Sequence, residues 1–524
     1  MATLHEQLQQ TERVAISSIS GMGGIGKTEL ALQYARRHLQ KGSYPGGVCW
    51  LRARNEDVLL QFFSFARVNL GLFLPDDLDI QQKIDFCWSK WPILPNLPLK
   101  GGDKEGIPLE RGDGKGFSSD VLIIIDDVAK YEQVADLLPR DPRFKVLVTT
   151  RQQWLANSWR QLQLEVLDEG AALELLVSLV GDGRIQRKED VAKLLCADLG
   201  YLPLGLELVG RYLRRKQDLS LVEMRQRLDL KHRALQKKDR KGEVFGDMTA
   251  RRGVEAAFDL SWEELDEEEK GVGCRLSLFA AAAIPWNLVE WCLSEVDQEH
   301  LQEIRDDVLL NFSLLERKEE NIYQLHPLIR KFMAGKLQEF DSVEERKGVR
   351  PLIRKFLVGK SQKFNSVEEW KGSFCRVIAE VGRNIPDNIT VEQVKEFKVY
   401  IPHIAEVAEN LAEYLSDDDL IFPFMGLGQF YQGQGFYPQA QPWLEKGREI
   451  VEKRLGQDNL YVAVVYNNLA ALYREQGKYE AAEPLLKQAI EIVKIAISEN
   501  HPLLATNLNN LAALYCEQGK YEAA

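Results

Sequence analysis

The chain has 524 residues, 45% of them hydrophobic and 28% charged, which is several times the usual size of one hydrophobic core and predicts about three or four domains. Its net charge of -12 disfavours non-specific attraction to nucleic acid or to anionic membrane surfaces. No apolar run approaches the roughly 20 residues that span a bilayer, and Met1 to Gln10 lacks the basic start and apolar core of an export signal, so a cytoplasmic protein is expected. The seven cysteines are scattered and never form a C-x-x-C pair, which predicts reduced, mostly buried thiols and neither zinc nor redox chemistry.

From the N-terminus, β-rich apolar runs alternate with helical stretches: Val14 to Ile19, Val48 to Leu51, Val121 to Ile125, Val146 to Thr149 and Leu162 to Val166. That alternation predicts a parallel α/β sheet over residues 1–166. Residues 91–119 carry most of the local Pro and Gly without periodicity and read as a long exposed insert before a buried strand.

From Asp168 the apolar spacing turns helical, with Leu173, Leu176 and Val177, then Leu194, Leu195 and Leu199, so residues 167–235 are expected to form a small helical domain. The basic stretch from Lys231 to Lys241 reads as a solvated linker or as an interaction patch. Residues 250–335 follow as a further domain and 336–400 as a helical connector. The connector contains a local duplication, since Pro327-Leu328-Ile329-Arg330-Lys331-Phe332 returns 24 residues later as Pro351-Leu352-Ile353-Arg354-Lys355-Phe356, and Ser342-Val343-Glu344-Glu345 as Ser366-Val367-Glu368-Glu369.

Residues 401–524 carry a different repeat. Asn467-Asn468-Leu469-Ala470-Ala471-Leu472-Tyr473 returns as Asn509-Asn510-Leu511-Ala512-Ala513-Leu514-Tyr515, and Gly435, Gly477 and Gly519 mark the same 42-residue period. Each unit reads as helix, Gly-centred turn, helix, with Ala470 and Ala482 where helices approach closely. Such pairs cannot bury their apolar faces alone and stack into a superhelix. They resemble tetratricopeptide repeats of the kinesin-light-chain-like kind, which implies a protein or peptide ligand on the array. The chain stops at Ala524 inside a second helix, so the array reads as truncated.

The most specific motif is Gly21-Met22-Gly23-Gly24-Ile25-Gly26-Lys27-Thr28, a full G-x-x-x-x-G-K-T between an apolar strand and a helix. Glycines permit the positive φ angles that turn backbone N–H groups inward around phosphate, and the helix start adds the positive end of its dipole. Lys27 is expected at the β and γ phosphates of ATP or ADP and the Thr28 hydroxyl on Mg²⁺; the bland alternative is a Gly-rich turn with no ligand. The strand Val121 to Ile125 ends in Asp126-Asp127, which reads either as a turn cap or as the metal-side carboxylate, Asp126, followed by the residue that orients or deprotonates the attacking water, Asp127. Val146-Leu147-Val148-Thr149-Thr150-Arg151 ends in an arginine placed to sense a γ-phosphate or to form a surface salt bridge. The guanine-selecting N-K-x-D is absent, so adenine is expected.

These motifs, in this order, resemble the NB-ARC family of signalling P-loop ATPases, a STAND-class nucleotide switch, over roughly Leu4 to Phe332. The resemblance implies a P-loop domain, a helical domain and a winged helix. It implies that Pro203, in Gly200-Tyr201-Leu202-Pro203-Leu204, packs near the nucleotide and that His326, in Leu325-His326-Pro327, contacts the ADP β-phosphate. Tyr201 stands where the family has a glycine, and Leu325 and Pro327 stand where it has methionine and aspartate. The family's apolar-Gly-Arg-Glu segment precedes the P-loop elsewhere, whereas this chain begins inside the following helix at Leu4-His5-Glu6-Gln7-Leu8. The expectation is therefore a truncated gene or an effector on another protein. The resemblance implies slow ATP hydrolysis as a reset and nucleotide-dependent self-association. Two rivals stand beside it: a repeat scaffold with a vestigial nucleotide site, and an ATP-dependent transcription regulator. The acidic run Glu263 to Glu269 within the winged-helix segment would repel DNA phosphate, so no nucleic-acid partner is expected.

Overall fold

The structure is a computed structural model and describes residues 1–18, 24–53, 58–75, 78–91, 120–150, 152, 159–238, 248–347, 366–496 and 502–520. The chain forms two compact units: residues 1–266 with 308–314 and 326–332, and residues 267–307 with 315–325 and 333–524.

The first unit begins with α1 (Ala2–Gln10), β1 (Arg13–Ser18), α2 (Lys27–Gln40), β2 (Val48–Arg52), α3 (Val58–Asn69), α4 (Ile80–Ser89), β3 (Val121–Val128), β4 (Phe144–Thr150) and β5 (Arg160–Leu164). Its five strands lie in the order β2-β3-β4-β1-β5, every pair parallel. The sheet is apolar on both faces because helices cover both. Leu4 and Leu8 of α1 and Ala31 and Tyr34 of α2 pack with Val14, Ile16, Leu122, Ile124 and Leu147. Elsewhere in the domain Trp88 stacks on Trp91 and meets Phe62 and Phe144. The Trp91 indole donates to the Gly46 carbonyl at 3.0 Å, and Gly46 N–H donates to the Asp120 carbonyl at 3.0 Å, so both ends of the insert converge on one residue. The insert itself, 92–119, lies outside the described residues. The last strand runs two residues earlier than its apolar run suggests.

Six helices continue the first unit: α5 (Glu169–Val180), α6 (Asp182–Gln186), α7 (Glu189–Asp198), α8 (Pro203–Arg215), α9 (Leu221–Lys238) and α10 (Met248–Glu263). Asp168 caps α5 by accepting from Ala171 N–H at 2.8 Å. The basic stretch from Lys231 is helical as far as Lys238, extending α9 where a linker was expected, because Lys231 reaches Asp259 and Glu263 of α10. Arg240 and Lys241 lie outside the described residues.

The second unit holds α11 (Glu267–Leu276), β6 (Ile284–Pro285), α12 (Trp286–Cys292), α13 (Gln298–Glu303), β7 (Glu316–Glu319) and β8 (Ile322–Gln324), with the strands antiparallel in the order β6-β8-β7. This is the helix-and-hairpin arrangement expected of a winged helix. α14 (Pro327–Lys347) follows, then α15 (Val367–Arg383), α16 (Val391–Phe397) and α17 (Ile401–Glu406). The duplicated tetrapeptide has two fates: Ser342 to Glu345 lies within α14, whereas Ser366 caps α15 by accepting from Glu369 N–H at 3.1 Å. Pro351 to Phe356 lies outside the described residues. The fully buried His403 accepts from Ala280 N–H at 3.2 Å and donates to the Ala283 carbonyl at 2.9 Å, which ties α17 to the segment before β6.

The repeats are α18 (Phe422–Gln432), α19 (Tyr437–Leu455), α20 (Leu460–Glu475), α21 (Tyr479–Ala496) and α22 (Pro502–Glu517). Gly435, Gly477 and Gly519 have φ of 76°, 72° and 73°, the left-handed conformation that ends each first helix. No helix of the described residues is long and apolar enough to cross a membrane. The seven cysteines are unpaired and six are buried.

One position breaks the repeat chemistry. Val465 is buried in α20, and 42 residues later Asn507 is fully buried in α22 with neither amide atom hydrogen-bonded. An orphaned buried amide costs about 1–3 kcal/mol. Asn507→Val is therefore expected to slow hydrogen exchange across Pro502–Glu517; unchanged exchange would show that water satisfies the amide.

Candidate nucleotide site

In parallel α/β sheets ligands bind beyond the carboxyl ends of the strands. The order β2-β3-β4-β1-β5 puts β4 between β1, which leads into the glycine-rich loop, and β3, which ends in the acidic pair. Gly21 and Gly23 lie outside the described residues. Gly24 and Gly26 have φ of 80° and 97°. A Cβ on Gly24 would stand 3.0 Å from both Cβ and Cδ2 of Leu204, so the loop passes tightly against the start of α8 and a side chain there would have to displace the leucine. Ile25 is buried, and Lys27, 9% exposed, opens α2. The first N–H groups of such a helix have no partner within it and suit an anion.

The loop is joined to the acidic pair by hydroxyls. Thr28 Oγ1 donates to Asp126 Oδ1 at 2.8 Å, and Thr149 Oγ1 donates to the same oxygen at 2.5 Å. Asp127 N–H donates to Thr149 Oγ1 at 2.8 Å. Thr149 thus bridges the Asp126 carboxylate, which it serves with its proton, and the Asp127 backbone, which it serves with its lone pair. A register shift between Ile125 and Val128 marks a bulge at this point, and Asp127 takes φ of 56°. Bulges of this kind re-aim side chains beside functional sites, and a non-glycine residue at positive φ is held there by its surroundings. Burial pushes the pKa of the Asp126 carboxyl above its ordinary value; the hydrogen bonds from Thr149 and Thr28 oppose that, Asp127 adds to it and Arg52 counters it.

A hydroxyl and a carboxylate within hydrogen-bond reach of each other are hard oxygen donors, and that set fits Mg²⁺ completed by water and phosphate oxygens. Among the described residues no group of three or more His, Cys, Asp or Glu side chains forms a self-contained metal site.

The remaining expected residues are placed as follows. Arg151 lies outside the described residues. Pro203 opens α8, immediately before the Leu204 that touches Gly24. Tyr201 holds φ of 55°, which explains why a glycine suits this turn. Its N–H donates to the Cys196 carbonyl at 3.0 Å and its carbonyl accepts from Leu167 N–H at 3.2 Å. His326 stands just before α14, and its Nδ1 accepts from Leu328 N–H at 3.2 Å, so its ring caps the helix. That bond leaves Nε2 as the protonated nitrogen, the donor that a phosphate needs.

Sequence reasoning took Thr149 only as one of a hydroxyl pair and passed over Arg52 and Gln61. A hydroxyl ending the strand that lies between the P-loop strand and the acidic strand is the signal for Thr149, but it requires the strand order.

Residues 422–495 match the tetratricopeptide repeat family model. The chain is 25% identical over 333 residues to Regulatory protein AfsR of Streptomyces griseus, a match covering 60% of this chain and 29% of that protein. It is also 25% identical over 230 residues to a probable disease resistance protein of Arabidopsis thaliana, covering 39% of this chain and 19% of the relative. The chain therefore spans less than a third of the length of these relatives. The crystal structure of a Signal Transduction ATPase with Numerous Domains carrying a tetratricopeptide repeat sensor, from Pyrococcus horikoshii, aligns with 100% of this chain and 80% of that one at 18% identity and a TM-score of 0.38. The resemblance to NB-ARC-type signalling ATPases with tetratricopeptide repeats is borne out.

The hydroxyl bridge makes a sharp prediction. Thr149→Val removes a buried hydroxyl that donates to a half-buried carboxylate and accepts from Asp127 N–H, and is expected to cost about 1–3 kcal/mol in denaturant unfolding, whereas Thr149→Ser retains most of the stability. Equal losses in both variants would mean that the methyl group, and not the hydroxyl, matters.

Proposed function

We propose that this chain is a nucleotide-operated signalling switch that binds ADP and ATP with Mg²⁺ at its glycine-rich loop and senses a protein or peptide ligand on its repeats. The observation that carries this reading is the join from Thr28 through Asp126 to Thr149, which brings the end of the P-loop, the acidic pair and the intervening strand to one point. Gly21, Gly23, Gly24, Ile25 and Gly26 form the phosphate cradle, Lys27 supplies its fixed charge, and Thr28 and Asp126 hold the metal. The metal, when bound, neutralises charge on the phosphates. Asp127 orients the attacking water for slow hydrolysis, aimed by its bond to Thr149 and its left-handed backbone. Arg151 reads the γ-phosphate.

Pro203 carries the helical domain to the nucleotide, through a turn whose next residue, Leu204, already touches Gly24. His326 offers its Nε2 proton to the β-phosphate while Nδ1 caps α14, so one ring ties the nucleotide to the helix leading out of the winged helix. A contact made in only one conformation shifts the equilibrium by its own free energy. ADP therefore holds the closed form and ATP favours self-association. The setting is the cytoplasm, with neither membrane nor nucleic acid as partner. The names of the relatives include a regulatory protein, but the run Glu267–Glu269 opens α11 of the winged helix, which disfavours DNA there.

Lys27→Ala is the direct test, because it takes one charge from a cradle otherwise made of backbone amides. Calorimetric titration is expected to show affinity for ATP and for ADP falling at least about ten-fold, with the unfolding midpoint of the ligand-free protein little changed. Unchanged affinity for both nucleotides would move the site elsewhere.

A further inference from the structure

Arg52 ends β2, one of the two edge strands of the sheet, and pairs in register with Asp126 of β3, with Ala53 N–H donating to the Asp126 carbonyl at 2.8 Å. Register partners in a parallel sheet present their side chains on the same face. The arginine therefore rises from the sheet beside the carboxylate that Thr28 and Thr149 grip.

The backbone of Arg52 is held in an uncommon way. Arg52 N–H donates to Gln61 Oε1 at 2.9 Å, and Gln61 Nε2 donates to the Arg52 carbonyl at 2.7 Å. Gln61 belongs to α3 and is only 9% exposed, so a buried amide is spent on fixing one residue of an edge strand. Edge backbone groups elsewhere on β2 do not receive this double clamp from any side chain among the described residues. The clamp fixes where the arginine leaves the sheet.

We propose that Arg52 is a specificity-determining residue of the nucleotide site, a fixed cation held by the Gln61 clamp that favours a triphosphate over a diphosphate. This rests on the nucleotide reading above. The terminal phosphates lie on the Asp126 side of the site, because Lys27 reaches the β and γ phosphates and the metal-binding pair is Thr28 with Asp126. A γ-phosphate adds negative charge at that end, which ADP lacks. A cation one strand beyond Asp126 meets this charge and leaves the α and β phosphates to the loop. A differential contact of this kind shifts a two-state switch, whereas a contact common to both nucleotides does not. The bland alternative is that Arg52 only blunts the sheet edge, as charged residues do on many edge strands. That role has no preference between nucleotides.

The test is calorimetric titration of the whole chain with a slowly hydrolysed ATP analogue and with ADP, each with Mg²⁺, for wild type, Arg52→Ala, Arg52→Lys and Gln61→Met. Arg52→Ala is expected to weaken the triphosphate at least about ten-fold and ADP no more than about two-fold, as for a lost hydrogen bond to a charged group. Arg52→Lys, which keeps the charge but not the planar fork, is expected to fall between, and Gln61→Met to lose part of the preference although Arg52 is intact. If Arg52→Ala does not fold, the same comparison is carried by Arg52→Lys and Gln61→Met. Wild type binding both nucleotides, with the ratio unchanged in the variants, overturns the role of Arg52 and leaves the nucleotide reading standing. Wild type binding neither nucleotide overturns that reading and this one together.

Discussion

A half-buried carboxylate needs donors, and Asp126 finds two of them on different elements: Thr28 at the start of α2 and Thr149 at the end of β4. One oxygen thus joins the end of the glycine-rich loop to two strands of the sheet. The arrangement is possible only because β4 separates β1 from β3, so that a hydroxyl on the intervening strand can reach across. The same hydroxyl accepts from Asp127 N–H and holds that residue at a positive φ. The orientation of the second carboxylate follows from the satisfaction of the first. Low local dielectric strengthens such a network when it is complete and penalises it when one member is missing, so the four residues act as a unit.

The loop also comes close to the helical domain at Gly24. Gly24 faces Leu204 so closely that a Cβ would push the leucine aside, and its left-handed backbone favours glycine there as well. The turn leading to Leu204 bears Tyr201 in a conformation that glycine adopts more cheaply. Two backbone hydrogen bonds, from Tyr201 N–H to the Cys196 carbonyl and from Leu167 N–H to the Tyr201 carbonyl, hold the turn in place.

Much of this was legible from periodicity and punctuation. The apolar runs named the five strands of the parallel sheet, though not the three short strands of the second sheet, the Gly-Lys-Thr motif named the loop, and the 42-residue period named the repeats, because each of these signals is local in the chain. Strand order is not local, and so Thr149 could be seen as one of a hydroxyl pair but not as a bridge. Gln61 was invisible for the same reason, since its amide serves a residue of another element. Lys231 to Lys238 read as a linker because its charges are obvious in sequence, whereas its partners Asp259 and Glu263 are on a later helix. Asn507 shows the converse: the repeat marks it as the counterpart of Val465, but only its burial shows that the amide goes unsatisfied.

If the hydroxyl-gripped carboxylate and the loop form a nucleotide site that works as a switch, the protein should hold its resting ligand through purification. The direct measurement is to denature the purified protein, separate the supernatant by ion-exchange chromatography and quantify the adenine nucleotide released per chain. The account predicts ADP approaching one molecule per chain. Protein that releases no nucleotide, and that then fails to take up either ADP or ATP with Mg²⁺ on titration, would contradict it.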